Sequence, residues 1–521
     1  MRELKLEELT LEQKIGQLIC VRWIHSPEEL EEIYEALSKG ALGAIQVKWR
    51  EWFGQSPVEL IARLKEAAGY NVLICEDMET GFRGSNQAIP HQLAFSYADQ
   101  EELAYEIGRI VAIEAKNAGY DVVWGPISDV GLEGKSYMNL RGFGDVERTV
   151  KYSIAMIRGY QSEGLLATMK HYPGNCDEIG DAHMYATTSP CTLEELMERN
   201  LKPYQGAIAS GDLAAVMTTH RCYEKIDDKP ATLSKRLLDI LRAQGFDGLI
   251  FSDSLAMMAI ESVYGKKESL GLAIAAGVDM LLPAFSLTYR EIHDALMEAY
   301  QKGVIAEERL NDAVRHVLAA QRMTMKRPTQ TGLSDRQKNI VDELNQKSLC
   351  AIVKDGVDLK LNPEKKKLFV LLHETNPSKT YSREVMNGCW YLKEQVEEKA
   401  ELIREAFPDA DVILLNEFPN QRENEDVLRA CRAADEVVFF TFCIWGSYLG
   451  SNSLTDRVKS VLEAAMYKTA AIVHMGNPYE MRPFMDVPRI FLGVNGSDSE
   501  RYAIRALKGE FIPTGKAPED L

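Results

Sequence analysis

Only nine of the chain's 521 residues are cysteine, an odd number. They are dispersed, with no C-x-x-C pair and no metal-finger spacing, which excludes a disulfide scaffold and a structural zinc module. Cys20, Cys75 and Cys443 stand inside apolar runs, where a reduced thiol acts as a small hydrophobe. No uninterrupted apolar stretch reaches the ~20 residues of a membrane span, so no membrane partner is expected. Basic residues are in deficit, 60 Lys and Arg against 78 Asp and Glu, for a formal net charge of −18. That sign argues against nucleic-acid and anionic-membrane binding. The opening MRELKLEELTLEQKIGQL is charged and amphipathic and lacks the apolar h-region of a secretory signal. A cytoplasmic protein without disulfides is therefore expected. There is no internal repeat and no low-complexity tract.

What is present is a soluble composition, 45% apolar and 26% charged, in a chain too long for one ordinary domain. Short apolar β-type runs alternate with longer helical patterns, as in parallel α/β architecture. Candidate strands at 18–23, 43–47, 71–75, 121–126, 165–170, 214–219, 248–252 and 279–283 predict a (β/α)8 barrel of TIM type. Helical patterns between them include 101–118 and 193–210. The polar stretch MTMKRPTQTGLSDRQKN, from Met323, then breaks the periodicity. The expected division is a catalytic barrel over 1–325, a linker over 326–345 and a smaller α/β sandwich over 346–521. Strands at 368–372, 411–415, 436–442, 470–475 and 489–494 predict an open, flavodoxin-like sheet there, its strand order unreadable. A helical stretch at 453–466 lies among them.

In such a barrel, chemistry gathers where the strands end at the C-terminal face. Five candidate strands run from an apolar body into polar groups at that end: Glu76-Asp77, Ser128-Asp129, Lys170-His171, His220-Arg221 and Asp253. Alternating burial alone does not produce this polarity. After the fifth strand, Asp181 lies two residues before His183, where its carboxylate can accept the imidazole N–H and fix the tautomer. A polar surface loop accounts for the same spacing. Asp253 ends the run GFDGLIFSD, so a short carboxylate is held at a strand tip. A carboxylate facing a proton donor suits displacement at an anomeric carbon. A helix N-cap ahead of Leu255-Ala256-Met257-Met258 is the competing reading of Asp253. A zinc site from His171, His183, His220 and Asp253 is disfavoured, because the first strand, LICVRW, lacks the H-x-H usual in metal-dependent barrels. Neither metal nor cofactor is expected.

Several motifs resemble those of the family 3 glycoside hydrolases, and within them the β-N-acetylglucosaminidases. KHYPGNCDEIGDAH, from Lys170 to His183, is similar to K-H-F-P-G-x-G-x-x-x-x-D-S-H, and GFDGLIFSDSLAM to the G-F-x-G-x-I-x-S-D-D-L-x-M strand. LTLEQKIGQL, CEDMETG, GPISDV, RGFGD, PATLS and AAGVDMLL resemble further elements of the barrel. GNPYEMRP and LKGEFIPTGKAP are weak echoes of the second domain of two-domain members. Thr80 and Cys176 replace glycines of the pattern, and Ser254 replaces an aspartate. The resemblance implies a retaining exo-β-N-acetylglucosaminidase with Asp253 as nucleophile and His183 as acid/base, assisted by Asp181. It further implies that Asp77, Arg141, Lys170 and His171, with Asp129 a weaker candidate, bind the terminal sugar. His220 is expected in a core or supporting role. The implied substrate is an oligosaccharide bearing N-acetylglucosamine, from cell-wall muropeptides or chitin. β-Glucosidase, phosphorylase and non-catalytic sugar-binding readings remain as alternatives.

Overall fold

The computed structural model describes residues 2–85, 87–131, 141–175, 180–374, 391–443, 453–496, 498–519 and 521. The chain divides into two compact units. The first comprises Met1–Gln87, Glu101–Met138 and Gly142–Lys338, the second Ala88–Gln100, Asn139–Arg141 and Asn339–Leu521.

The first unit is the expected (β/α)8 barrel. Its strands are Cys20–Val21, Ala44–Gln46, Leu73–Glu76, Val122–Val123, Leu166–Tyr172, Ala215–Thr218, Leu249–Ser254 and Met280–Leu282, hydrogen-bonded in that order. A parallel bridge between Ile19 and Leu281 closes the ring, with the Leu281 N–H donating to the Leu18 carbonyl at 2.9 Å. Every strand sends side chains inward, alternate residues where it is long enough. Cys20, Ala44, Leu73, Cys75, Val122, Leu166, Ala215, Met217, Leu249, Phe251, Met280 and Leu282 form one buried cluster around Trp124. The interior is therefore a packed core, and chemistry is left to the rim. On the outside, helices Glu101–Asn117 and Val146–Ser162 approach closely at two glycines. A Cβ on Gly159 would stand 2.2 Å from the Tyr105 carbonyl oxygen, and one on Gly108 2.8 Å from that of Met156.

Two strands are longer than expected, and this matters for the rim. The fifth continues to Tyr172 and the seventh to Ser254, so Lys170, His171 and Asp253 belong to the sheet and inherit its rigidity. The helical pattern at 193–210 is interrupted: a turn of wider π geometry at Leu196–Asn200 precedes the segment Lys202–Ala209. Pro203 near its start lacks the N–H that an unbroken helix would use there.

The second unit carries a six-stranded sheet in the order Cys350–Val353, Arg489–Gly493, Thr469–Met475, Glu436–Phe442, Lys367–His373, Asp411–Asn416. The last five are mutually parallel, and in chain order read 2-1-3-4-5, the flavodoxin-like arrangement. Cys350–Val353 adds an antiparallel edge that periodicity does not reveal, being four residues long and mostly half-buried. Within the stretch expected to be a linker, Asp335–Lys347 is helical. Its charge-rich sequence masks the pattern. No helix among the described residues is long and apolar enough to cross a membrane.

Candidate active site

The strand-end polar residues meet in two connected groups. In the first, Lys170 is 3% exposed and its Nζ stands 2.8 Å from Asp77 Oδ1 and 2.8 Å from Glu79 Oε1. Asp77 is the more open carboxylate, at 37% side-chain exposure, so it can accept from a hydroxyl while Lys170 holds it. In the second, Asp129 is wholly buried beneath His171. Its Oδ2 lies 2.7 Å from His171 Nδ1, and its Oδ1 accepts the Asn175 N–H at 2.8 Å. That carboxylate is occupied in orienting the imidazole, whose Nε2 lies 3.9 Å from Asp253 Oδ2.

Asp253 caps no helix. The next helix is Met258–Tyr264, with Met257 at its N-cap position, so the carboxylate is left on the strand tip. Its Oδ1 accepts the Ser254 N–H at 2.6 Å. Burial alone would raise this carboxyl. The charges at His171, His220 and His183, with the Ser254 N–H, outweigh burial and hold it down at about 2.

His183 is brought to this neighbourhood by backbone bonds. The Met258 N–H donates to the His183 carbonyl at 3.3 Å and the Ala259 N–H to the Ala182 carbonyl at 3.2 Å. Ala182, Met257 and Ala259 pack together beneath. The Asp181–His183 loop is thus fastened to the segment that leaves the seventh strand. Asp181 Oδ1 lies 2.7 Å from His183 Nδ1 and accepts the His183 N–H at 3.0 Å, so the acid and ring form one unit. Cys176, the departure in the same loop, lies outside the described residues.

His220 is buried, with Nε2 2.9 Å from the Ser254 carbonyl and Nδ1 2.8 Å from Thr232 Oγ1, a bracing position behind the seventh strand. Arg141 is buried and falls in the second compact unit. Among the described residues, the His/carboxylate cluster with metal-like spacing is Asp279, Asp312 and His316. Arg242 and Arg309 already pair with Asp279 there, which leaves the group structural.

A buried polar chain, whose Arg22 and Gln46 residue-by-residue reading of the sequence passes over, links the ends of the first three strands. Arg22 Nε donates to Gln46 Oε1 at 3.2 Å, and Gln46 Nε2 to Glu76 Oε1 at 3.2 Å. The signal was available: charged residues inside apolar runs, as in LICVRW and AIQVKW. Glu76 is 3% exposed, and its Oε2 is buried without a hydrogen-bond partner among the described residues. Burial, helped by the adjacent Asp77 charge, pushes it up to about 7. The folded protein then keeps a proton that the unfolded chain releases above about 4.5. Stability from this group is present below pH 4.5 and is lost as pH rises towards 7. Glu76→Gln is expected to raise Tm relative to the parent at pH 8 and to change it little at pH 5. Thermal unfolding at the two pH values checks this, and an equal difference at both would refute it.

Residues 10–320 match the glycosyl hydrolase family 3 N terminal domain. A β-hexosaminidase of Stenotrophomonas maltophilia is 31% identical over 259 residues, 47% of this chain and 76% of that protein. A β-N-acetylglucosaminidase/β-glucosidase of Cellulomonas fimi is 28% identical over 333 residues, 60% of this chain and 58% of that protein. Among solved structures, a family 3 β-N-acetylglucosaminidase from Paenibacillus superposes with a TM-score of 0.81 at 25% identity, covering 98% of both chains.

Proposed function

The chain belongs to glycosyl hydrolase family 3, and on that footing we propose that it is a retaining exo-β-N-acetylglucosaminidase. The observation that carries this reading is the fastening of the Asp181–His183 pair to the segment just beyond Asp253. Asp253 attacks the anomeric carbon as the bond to the aglycone breaks, and His183 gives its Nε2 proton to the departing oxygen. Asp181 holds Nδ1 and stabilises the imidazolium. In the second half, neutral His183 takes a proton from water, which attacks the same carbon and frees Asp253. Asp77, Lys170 and His171 bind the terminal sugar's hydroxyls, and Asp129 acts by fixing His171. Cell-wall fragments and chitin oligosaccharides ending in N-acetylglucosamine are the natural substrates of such a site.

The names of the Stenotrophomonas and Paenibacillus relatives support the choice of sugar. The Cellulomonas name pairs the activity with β-glucosidase, which makes that the second reading. A panel of 4-nitrophenyl glycosides separates the two. The expected result is a kcat/KM at least about tenfold higher on the β-N-acetylglucosaminide than on the β-glucoside, equivalent to ~1.4 kcal/mol. The first product seen by NMR should be the β-anomer. A preference for the glucoside overturns the sugar assignment, and a first-formed α-anomer overturns the retaining mechanism.

A further inference from the structure

Three cations stand on one aromatic cluster at the rim of the barrel. Arg22 follows the first strand, Lys48 and Arg50 the second. The Arg22 guanidinium lies 3.9 Å from the ring centre of Phe285, which follows the eighth strand. Lys48 Nζ is 5.4 Å from Phe285 and 5.8 Å from Trp23. The Arg50 guanidinium sits 4.0 Å from Trp23 and 4.3 Å from Trp52. Trp23 meets Trp52 and Phe285 edge-on, at 5.6 and 6.3 Å. The side chains of Arg22 and Gln46 connect this cluster to the proposed site: Arg22 donates to the Ser254 hydroxyl beside Asp253, and Gln46 to Glu76 beside Asp77.

Among the described residues, no carboxylate oxygen comes within ion-pair distance of these cations, and Arg50 Nε is buried with no hydrogen-bond partner. Arg22 bonds, among the described residues, to a neutral hydroxyl and a neutral amide. Carboxylates are in surplus in this chain, and other buried or half-buried cations of the barrel have them: Lys170 holds Asp77 and Glu79, and Arg242 and Arg309 hold Asp279. Aromatic faces steady a cation but accept no N–H bond in its plane and do not neutralise it. A guanidinium over a ring face can still direct donors outward from its edge at a planar or tetrahedral oxyanion. Arg22 and Lys48 both face the proposed site: Arg22 feels the charges of Asp253, Asp77 and Glu76, and Lys48 those of Glu76 and Asp77, none of them within ion-pair distance.

We propose that Arg22, Lys48 and Arg50 form a subsite for an anionic oxygen substituent on the terminal sugar itself, a sulfate, phosphate or carboxylate. This rests on the reading of the rim as an exo-glycosidase site in which Asp77 grips that sugar. The preferred substrate is then an acidic glycoside whose non-reducing unit carries the charge.

The test compares 4-nitrophenyl N-acetyl-β-D-glucosaminide with its sulfates and phosphates at O3, O4 or O6, and with the matching β-glucuronide. At least one acidic glycoside is expected to exceed the neutral parent tenfold in kcat/KM. In Lys48→Gln/Arg50→Gln that ratio is expected to fall to one or below. A wild-type enzyme that prefers the neutral parent over every acidic form overturns the proposal, as does a ratio unmoved in the double variant. Formation of N-acetylglucosamine 1-phosphate from the parent on adding inorganic phosphate would assign the cations to an acceptor, and also overturns it. Turnover of the parent reports separately on the glycosidase reading. Thermal stabilisation of the wild type by free sulfated or phosphorylated N-acetylglucosamine, set against the unmodified sugar, reads the subsite without any turnover. Equal stabilisation by both would again refute it.

Discussion

Asp253→Ala is expected to lower kcat on an aryl β-N-acetylglucosaminide by at least about a thousandfold, ~4 kcal/mol of barrier. The effect is large because no neighbour can replace the carboxylate. Asp129 is buried under His171, Asp181 is bound to His183, and Asp77 is held by Lys170. Asp253 alone is at once rigid, on the seventh strand, and surrounded by imidazoles. Its carboxyl, held at about 2, is ionised throughout the working range. Loss of activity on mild acidification therefore has to come from other groups. The small cavity left in the alanine variant should admit azide or formate, which attacks from the same face. Azide should then restore a measurable part of the rate and give a glycosyl azide of inverted configuration. Residual activity above a tenth of the parent, in a variant with unchanged unfolding, would remove Asp253 from the nucleophile role.

Much of this arrangement is legible in the order of residues along the chain. Apolar runs ending in Glu76-Asp77, Lys170-His171 and Asp253 mark the working face of a parallel barrel, because an inward-facing core has no use for such groups. The strand order of the second sheet is a different matter. A 2-1-3-4-5 order depends on which side each crossover takes, and the hydrophobic pattern is identical for either side. The pairing of Asp129 with His171 is equally hidden, since the two are 42 residues apart, Asp129 lies past the end of the fourth strand, and only the nearby Ile127–Lys170 bridge brings them together. The docking of the Asp181–His183 loop is made by backbone N–H and C=O groups at 182–183 and 258–259, which nearly every residue type supplies. The sequence can offer an Asp-x-His, but only the folded backbone decides what it faces. Arg22 and Lys48 are a third case. Their positions at the ends of apolar runs are legible, while the absence of an ion-pair partner among the described residues is a fact of three dimensions.

His183→Ala separates the acid step from the nucleophilic one, and its effect should depend on the leaving group. A disaccharide leaves as a strongly basic alkoxide unless protonated in flight, so losing the acid should cost about 10²–10⁴ in kcat/KM on N,N′-diacetylchitobiose. 4-Nitrophenolate needs little protonation, so the first step on its glycoside should fall far less. The second step still needs a base to activate water, and the glycosyl-enzyme on Asp253 should accumulate. The expected signature is a burst of nitrophenol, one equivalent per active site, followed by slow turnover that azide accelerates because it needs no base. Asp181→Asn should show the same pattern in milder form, since it retains the imidazole but loses the carboxylate that holds Nδ1. A uniform loss on both substrates, with no burst, would mean that His183 binds sugar rather than moves protons. The proton would then have to come from elsewhere, and Asp77, the most open carboxylate near the cleft, would be the next residue to replace.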